Sequence, residues 1–294
     1  FDGKVVAVKV KRPNVEQHLT SDIRIMKFFA LLGMTCSRTL RKFQLYGVVV
    51  FFEAWIRQDI DFRLEAKNIK IFREQELSNS SEKYKVFCMD IVDELCTDNV
   101  VVMDFVEGIP VSKKKELFEN KEYDIYKTIE TYMNAIIKNW FRDDISEFFF
   151  QADPHLSNII ALPNGGVANI DCGLISRLSK KEMMLCRKIT LAIYFKDVDK
   201  IIKVASDLAD CDYETYRPRL IKDVERYLEQ TDDEGLGFWF FGFTKIMVKH
   251  NMKYPPYLTT LGRGNVVVDG FIKTYIPEYT AHDLLKKQLK EHAA

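Results

Sequence analysis

Apolar and polar positions change period several times along the chain, and those changes lay out its elements. KVVAVKV, residues 4–10, follows an Asp-Gly turn and is rich in β-branched residues, which predicts a strand. Its alternation sets Val6, Val8 and Val10 on one face and Ala7 with Lys9 on the other. After Pro13 the spacing becomes helical, and a second helical stretch is predicted from about 43 to 76. A polar loop at 78–82 leads into YKVFCMDIVDEL and NVVVMDFV, which read as two or three strands joined at the Thr97–Asn99 turn. From Lys113 onward the pattern is helical, with one exception. SNIIALPNGGVANIDCG is predicted to be a hairpin, with strands 159–162 and 167–170 around a four-residue Pro-Asn-Gly-Gly loop. Later helices are expected at 179–194, 197–209, 213–231, 237–251, 256–273 and 280–291. The fold class is therefore α+β, with a small mixed lobe over 1–109 and a larger helical lobe over 110–294.

Composition narrows the class. The chain has 294 residues, 47% of them apolar, and its 43 basic and 43 acidic side chains cancel, which describes a folded globular protein. KVKRP and SKKK are short and carry no interleaved aromatics, so nucleic acid is not an expected partner. Six cysteines form no CxxC pair and read as small core residues of a reducing compartment. The longest apolar runs, near 25–34 and 46–56, are broken by Lys27 and Glu53 and are too short to span a bilayer. FWFFGF, 238–243, and the run 46–52 are the stretches that could touch lipid, although such runs are more commonly buried.

Three features carry candidate chemistry. In the hairpin, a four-residue loop puts Leu162 opposite Val167 and so Asn158 opposite Asp171, with Asp153 just before the first strand. Asn158 and Asp171 are hard oxygen donors suited to Mg²⁺, and a further carboxylate near the metal can orient or deprotonate an attacking hydroxyl. Singly, Asp-Pro and Asn are turn formers; the joint spacing D-x₄-N followed by an apolar strand and DxG asks for more. Lys9 shares its strand face with the small Ala7, so it can lie along a flat ligand and reach phosphates, or else point into water as edge lysines do. Glu65 sits in an apolar helical stripe with Phe62, Ile69 and Phe72, where a carboxylate needs a cation or a route to the surface. Lys9 is the obvious cation. A strand lysine, a helix glutamate, a D-x₄-N loop and a DxG, in this order, are the parts of a protein-kinase-like fold.

The segments DGKVVAVKVKRPNV, DIDFRLEAKN, VVVMDFVEGIPV, FFFQADPHLSN, VANIDCGLISRL and KYPPYLTTLGRGNVVVDGFIKTYIPEY closely resemble the UbiB/AarF-domain (ABC1-like) atypical kinases, in family order over the whole chain. That resemblance implies a two-lobed protein-kinase-like fold using ATP and Mg²⁺. It implies that Lys9 contacts phosphates with Glu65 as its partner, that Asp153 is the catalytic-loop aspartate, and that Asn158 and Asp171 hold metal. It also implies that Asp104 to Val106 form the adenine-contacting hinge through their backbone, beside Met103. The family's lysine–x–glycine–glutamine segment and alanine-rich nucleotide loop would precede residue 1. Asp59-Ile60-Asp61 stands for a glutamate–x–aspartate element, Gln151, Leu156 and Ser157 replace the usual His, Pro and Gly, and Cys172 replaces the Phe of DFG.

Two features set the chain apart from a conventional protein kinase. Ala152, not arginine, precedes Asp153, and helix is predicted within six to eight residues of Gly173, leaving little room for a peptide-docking segment. The expectation is a Mg-ATP-dependent atypical kinase or ATPase of ubiquinone (prenyl-quinone) metabolism. The resemblance implies a mitochondrial or plastid setting, contact with quinone or isoprenoid lipid and a membrane surface, and quinone-biosynthesis proteins as partners. A pseudokinase scaffold and a small-molecule phosphotransferase are the alternatives.

Overall fold

Val6–Val10 (β1) pairs antiparallel with Val100–Asp104, bringing Lys9 opposite Val101 and Ala7 opposite Met103. Alternation holds, but its sense is informative: Val8 and Val10 are exposed, and Lys9 lies on the more covered face. The computed structural model describes residues 3–37, 45–78, 85–142, 144–231, 234–280 and, beyond these, 283, 285, 286 and 289. The chain divides into two units, one of residues 1–73, 89–105 and 171–174, the other of 74–88, 106–170 and 175–294.

In the first unit, α1 (Val15–Cys36) packs on α2 (Leu45–Asp59), and Glu53 of α2 pairs with Lys27 of α1 and with Arg57. The helical stretch predicted over 43–76 is two helices, α2 and α3 (Phe62–Leu77). Asp61 makes the break. Its Oδ1 accepts the Leu64 N–H at 3.0 Å, satisfying a donor that the first turn of α3 would otherwise leave unpaired. Phe62, Ile69 and Phe72 of α3 are buried, as are Met89 and Val101 to Met103.

The second unit holds most of the core. Its main sheet runs β2-β7-β6-β4, from Val86–Cys88 (β2), Ile109–Pro110 (β4), Ile159–Leu162 (β6) and Gly166–Asn169 (β7), with β2 parallel to β7. Of the strands read from 84–104, Val100–Asp104 (β3) forms its ladder with β1 and β2 joins β7, while an isolated antiparallel bridge between Ile91 and Met103 links YKVFCMDIVDEL to β3. Two strands were not expected at all. Glu147–Gln151 (β5) and Ile175–Ser179 (β8) form an antiparallel ladder. The FFF run hides the period-2 signal, because Phe148 and Phe150 stack on one side while Phe149 points to the other.

Helices α4 (Lys114–Glu119), α5 (Ile125–Phe141), α6 (Lys180–Tyr194), α7 (Val198–Ala209), α8 (Tyr213–Leu228), α9 (Leu236–Lys249) and α10 (Pro256–Tyr275) complete this unit. Several start where a capping side chain dictates. Asp124, Asp197 and Asp212 cap α5, α7 and α8, and Ser179 with Glu182 forms a capping box on α6. Trp239, Phe240 and Phe243 are core residues, so the 238–243 run is largely buried. The helix expected at 280–291 and the loop at 78–82 fall mostly outside the described residues.

Candidate active site

In the first unit, β1 and α3 bring two of the expected residues into contact. Lys9 Nζ donates to Glu65 Oε1 at 2.6 Å and lies 3.7 Å from Asp171 Oδ1. Glu65 is fully buried one turn into α3, while the Lys9 side chain is 36% exposed. The Phe62 ring lies 5.5 Å from Lys9 Nζ and 5.4 Å from Lys11 Nζ, within cation–π range.

Burial pulls the Lys9 ammonium down, but the charges of Glu65, Asp171 and Asp59, with the Glu65 hydrogen bond, outweigh it and raise its pKa. Burial pushes Glu65 up, Lys9 pulls it back, and Asp171 and Asp59 add repulsion, so its net direction is also up. The two directions favour opposite charge states for the pair. We take the pair as ionised, because Lys9 reaches solvent and faces several carboxylates at once.

The charge around Lys9 is acidic. Glu65, Asp171 and Asp59 place three carboxylates against one ammonium, and Glu65 Oε2 is buried with no hydrogen-bond donor among the described residues. Asp171 Oδ1 accepts the Gly173 N–H at 2.8 Å, and Asn68 Nδ2 donates to the Cys172 carbonyl at 3.3 Å. These bonds fix the backbone of the DxG turn. Cys172 is itself fully buried, filling its place as a small apolar side chain. No three His, Cys, Asp or Glu residues cluster as metal ligands among the described residues. A Mg²⁺ held by one Asn, one Asp and substrate phosphates does not require such a cluster.

Of the expected hinge residues, Met103 is buried and the Asp104 N–H is already committed to the Asp90 carbonyl at 2.9 Å. The Asp104 carboxylate accepts Lys4 Nζ at 2.6 Å. Val106 follows, half-buried, in the second unit.

In the second unit, Asp153 leaves the end of β5 and turns at once. His155 N–H bonds the Asp153 carbonyl at 2.7 Å, and a 3₁₀ turn over Leu156–Asn158 carries the chain into β6. The hairpin register differs by one residue from the expectation. Ile159 pairs with Asn169, Leu162 with Gly166, and the Ile170 N–H bonds the Asn158 carbonyl, so Asn158 stands opposite Ile170 rather than Asp171. The reason is the loop. Pro163–Gly165 turns in three residues because Asn164 and Gly165 both take left-handed backbone, at φ 61° and 78°.

Two contacts were not read from the sequence. Gln75, near the end of α3, binds the backbone of Phe149 at both ends: Nε2 donates to its carbonyl at 2.6 Å and Oε1 accepts its N–H at 2.9 Å. The amide thus acts as a one-residue strand beside β5. Arg263 Nη2 donates to Asp153 Oδ2 at 3.1 Å from 110 residues away. Glycines flank that arginine in α10. A Cβ at Gly264 would stand 3.2 Å from the Gln151 carbonyl oxygen, and one at Gly262 3.2 Å from Phe240 Cβ. Two helix-interior glycines cost roughly 1 kcal/mol each relative to alanine, more than an open ion pair of about 0–1 kcal/mol returns. The LGRG sequence could have drawn attention to Arg263; no local pattern could have revealed which carboxylate it meets.

The ABC1 atypical kinase-like domain matches residues 1–205. The chain is 24% identical over 302 residues to the probable protein kinase UbiB of Glaesserella parasuis, covering 98% of this chain and 53% of that protein. It is 25% identical over 304 residues to its counterpart from Pasteurella multocida, covering 98% and 56%. An uncharacterized protein in the hydrogenase 1 5′ region of Clostridium pasteurianum is 26% identical over 296 residues, covering 98% and 53%. The chain spans about half the length of these relatives. The Rv3197–erythromycin complex from Mycobacterium tuberculosis superposes with a TM-score of 0.53 at 16% identity, over 96% of this chain and 73% of that one. The α+β fold is kinase-like, as expected from the sequence.

Proposed function

The chain belongs to the ABC1 atypical kinase-like family, and on that premise we propose that it binds Mg-ATP and transfers or hydrolyses the terminal phosphoryl group. The observation that carries this reading is the part-buried Lys9–Glu65 ion pair with Asp171 beside it. Lys9 contacts the α- and β-phosphates, and Glu65 holds it in place from a position water does not reach. Asn158 and Asp171 are the proposed metal ligands, and bound Mg²⁺ would neutralise charge on the phosphates. Asp153 accepts the proton of the attacking hydroxyl or water. Met103, Asp104 and Val106 border the adenine, with Asp104 contributing its carbonyl, since its N–H is taken.

The acceptor we propose is not a peptide. β8 follows Gly173 by two residues and α6 begins at Lys180, which supports a short segment after DxG. A role in ubiquinone or related prenyl-quinone metabolism follows from the family, with the mitochondrion as the proposed setting and quinone-biosynthesis proteins as proposed partners. Exposed apolar side chains on α1, among them Phe28 and Phe29, support contact with lipid. No helix among the described residues is long and apolar enough to cross a membrane.

The test uses the full-length protein. Mg-ATP at a hundred times its Kd should stabilise it by about 2.7 kcal/mol, read as a thermal shift that EDTA abolishes. Asp171→Asn should lose ATP turnover by at least about 100-fold. A scaffold that hydrolyses nothing would show equal turnover for both proteins, and absence of any nucleotide shift would end the Mg-ATP reading.

A further inference from the structure

Asp153 is not alone at the end of β5. Arg263 reaches its Oδ2 at 3.1 Å from α10, an element that joins the chain 110 residues later. The Asp153 and Arg263 side chains are 27% and 44% exposed, and an ion pair this open to water adds little to stability. Yet α10 is shaped to deliver it. Gly264 brings the helix backbone against the Gln151 and Ala152 carbonyls, where a Cβ would lie at 3.2 and 3.7 Å, and 3.8 Å from Pro154 Cδ. Gly262, two residues earlier, seats the same turn against Phe240 and Phe241 of α9. Arg263 lies between these two close approaches, so its starting point is fixed on both sides.

We propose that Arg263 is the positioning residue of the Asp153 loop, holding the carboxylate through Oδ2 so that Oδ1 faces the incoming nucleophile. This rests on the reading of Asp153 as the proton acceptor. A guanidinium suits the task because its planar fork fixes direction as well as charge. Lysine supplies the charge alone. The arginine that does not precede Asp153 in sequence is thus supplied from α10, although it serves the aspartate rather than a modified loop.

Full-length wild type, Arg263→Ala, Arg263→Lys, Asp153→Asn and the Asp153→Asn/Arg263→Ala double variant test this with three measurements: backbone hydrogen exchange, Mg-ATP thermal shift and steady-state ATP turnover. Arg263→Ala should lower kcat by about 10–100-fold while KM for ATP stays within about threefold and the Mg-ATP shift is kept. Arg263→Lys should recover part of kcat. The double variant should be no slower than Asp153→Asn alone, because the proposed effect of the arginine on kcat runs through that carboxylate. Exchange at residues 155–158 should rise severalfold in Arg263→Ala without nucleotide and fall back in Arg263→Lys. Wild-type kcat in Arg263→Ala, or a double variant slower by the full single-variant factor, overturns the proposal. So does unchanged exchange, and that measurement decides even for a protein that hydrolyses no ATP. If Arg263→Ala does not fold, Arg263→Lys carries the comparison, with an intermediate kcat and exchange expected and wild-type values overturning. Absence of both nucleotide shift and turnover in wild type counts against the Mg-ATP reading, not against the positioning of the loop.

Discussion

Glu76 is a carboxylate in the wrong medium, and its pH response follows from that. It is 5% exposed, and burial raises its pKa to about 7, with Asn139 Nδ2 at 2.7 Å, Gln75 and the Arg142 charge pulling against the rise. A folded-state pKa above the unfolded value of 4.5 means the native protein binds more protons between those pH values. Stability from this group is therefore full below about pH 4.5 and is lost as pH rises through 7. Glu76→Gln keeps an acceptor for Asn139 and removes the charge. It should stabilise the protein by about 1–3 kcal/mol at pH 8 and change little at pH 5, as urea unfolding at both values would show. Equal effects at the two pH values would contradict a buried ionising group. At Lys9 and Glu65 the sequence was readable because both signals are local: a lysine in a β-branched strand and a glutamate in an apolar stripe. Arg263 and Gln75 were not, since each is defined by a partner more than 70 residues distant.

At the scale of elements, boundaries with a chemical marker were legible and those set by pairing were not. The late helices appear within about three residues of their expected ends because caps and apolar spacing fix them locally. The single helix expected over 43–76 is two helices, and the break is hard to read because Asp61 suits a solvated helix position as well as a cap. β5 and β8 were missed because each is a strand only by virtue of the other. The hairpin shows how one residue of loop changes the outcome: Asn158 meets Ile170, and the pairing expected of Asn158 with Asp171 is displaced. Gly165 sets that register. Its φ of 78° disfavours any side chain, and a Cβ at this position would overlap the Lys127 side chain. Gly165→Ala should cost about 1–3 kcal/mol, measured as a lower urea midpoint with unchanged slope; a cost below about 0.5 kcal/mol would mean the loop re-forms freely.

For the molecule as a whole, charge and apolar surface predict different partners, and the balance can be measured. The formal net charge is zero, so there is no overall attraction to anionic lipid. The exposed side chains of α1 offer apolar area instead: Phe28 and Phe29 are 62% and 61% exposed, and Ile25 and Leu31 lie near them in sequence. Burying what remains exposed of two such rings is worth about 2–4 kcal/mol. Flotation of the full-length protein with liposomes should therefore persist at high salt and fall sharply in Phe28→Ser/Phe29→Ser. Flotation lost with salt alone, and unchanged by the double substitution, would assign the contact to charge. Family and fold class were legible at this scale because six separated segments keep their order; the division into interleaved units was not, since it follows contacts rather than composition.

α3 carries Glu65 near one end and Gln75 near the other, and both face specific partners, Lys9 and the Phe149 backbone. Each inserted or deleted residue between them turns one end against the other by about 100°. The exposed positions between them should therefore accept many changes of side chain but no change of length, whereas the buried Ile69 and Phe72 should accept few. In a library of insertions and deletions this stretch would stand out as a gap, bounded by positions where substitutions are tolerated far less well.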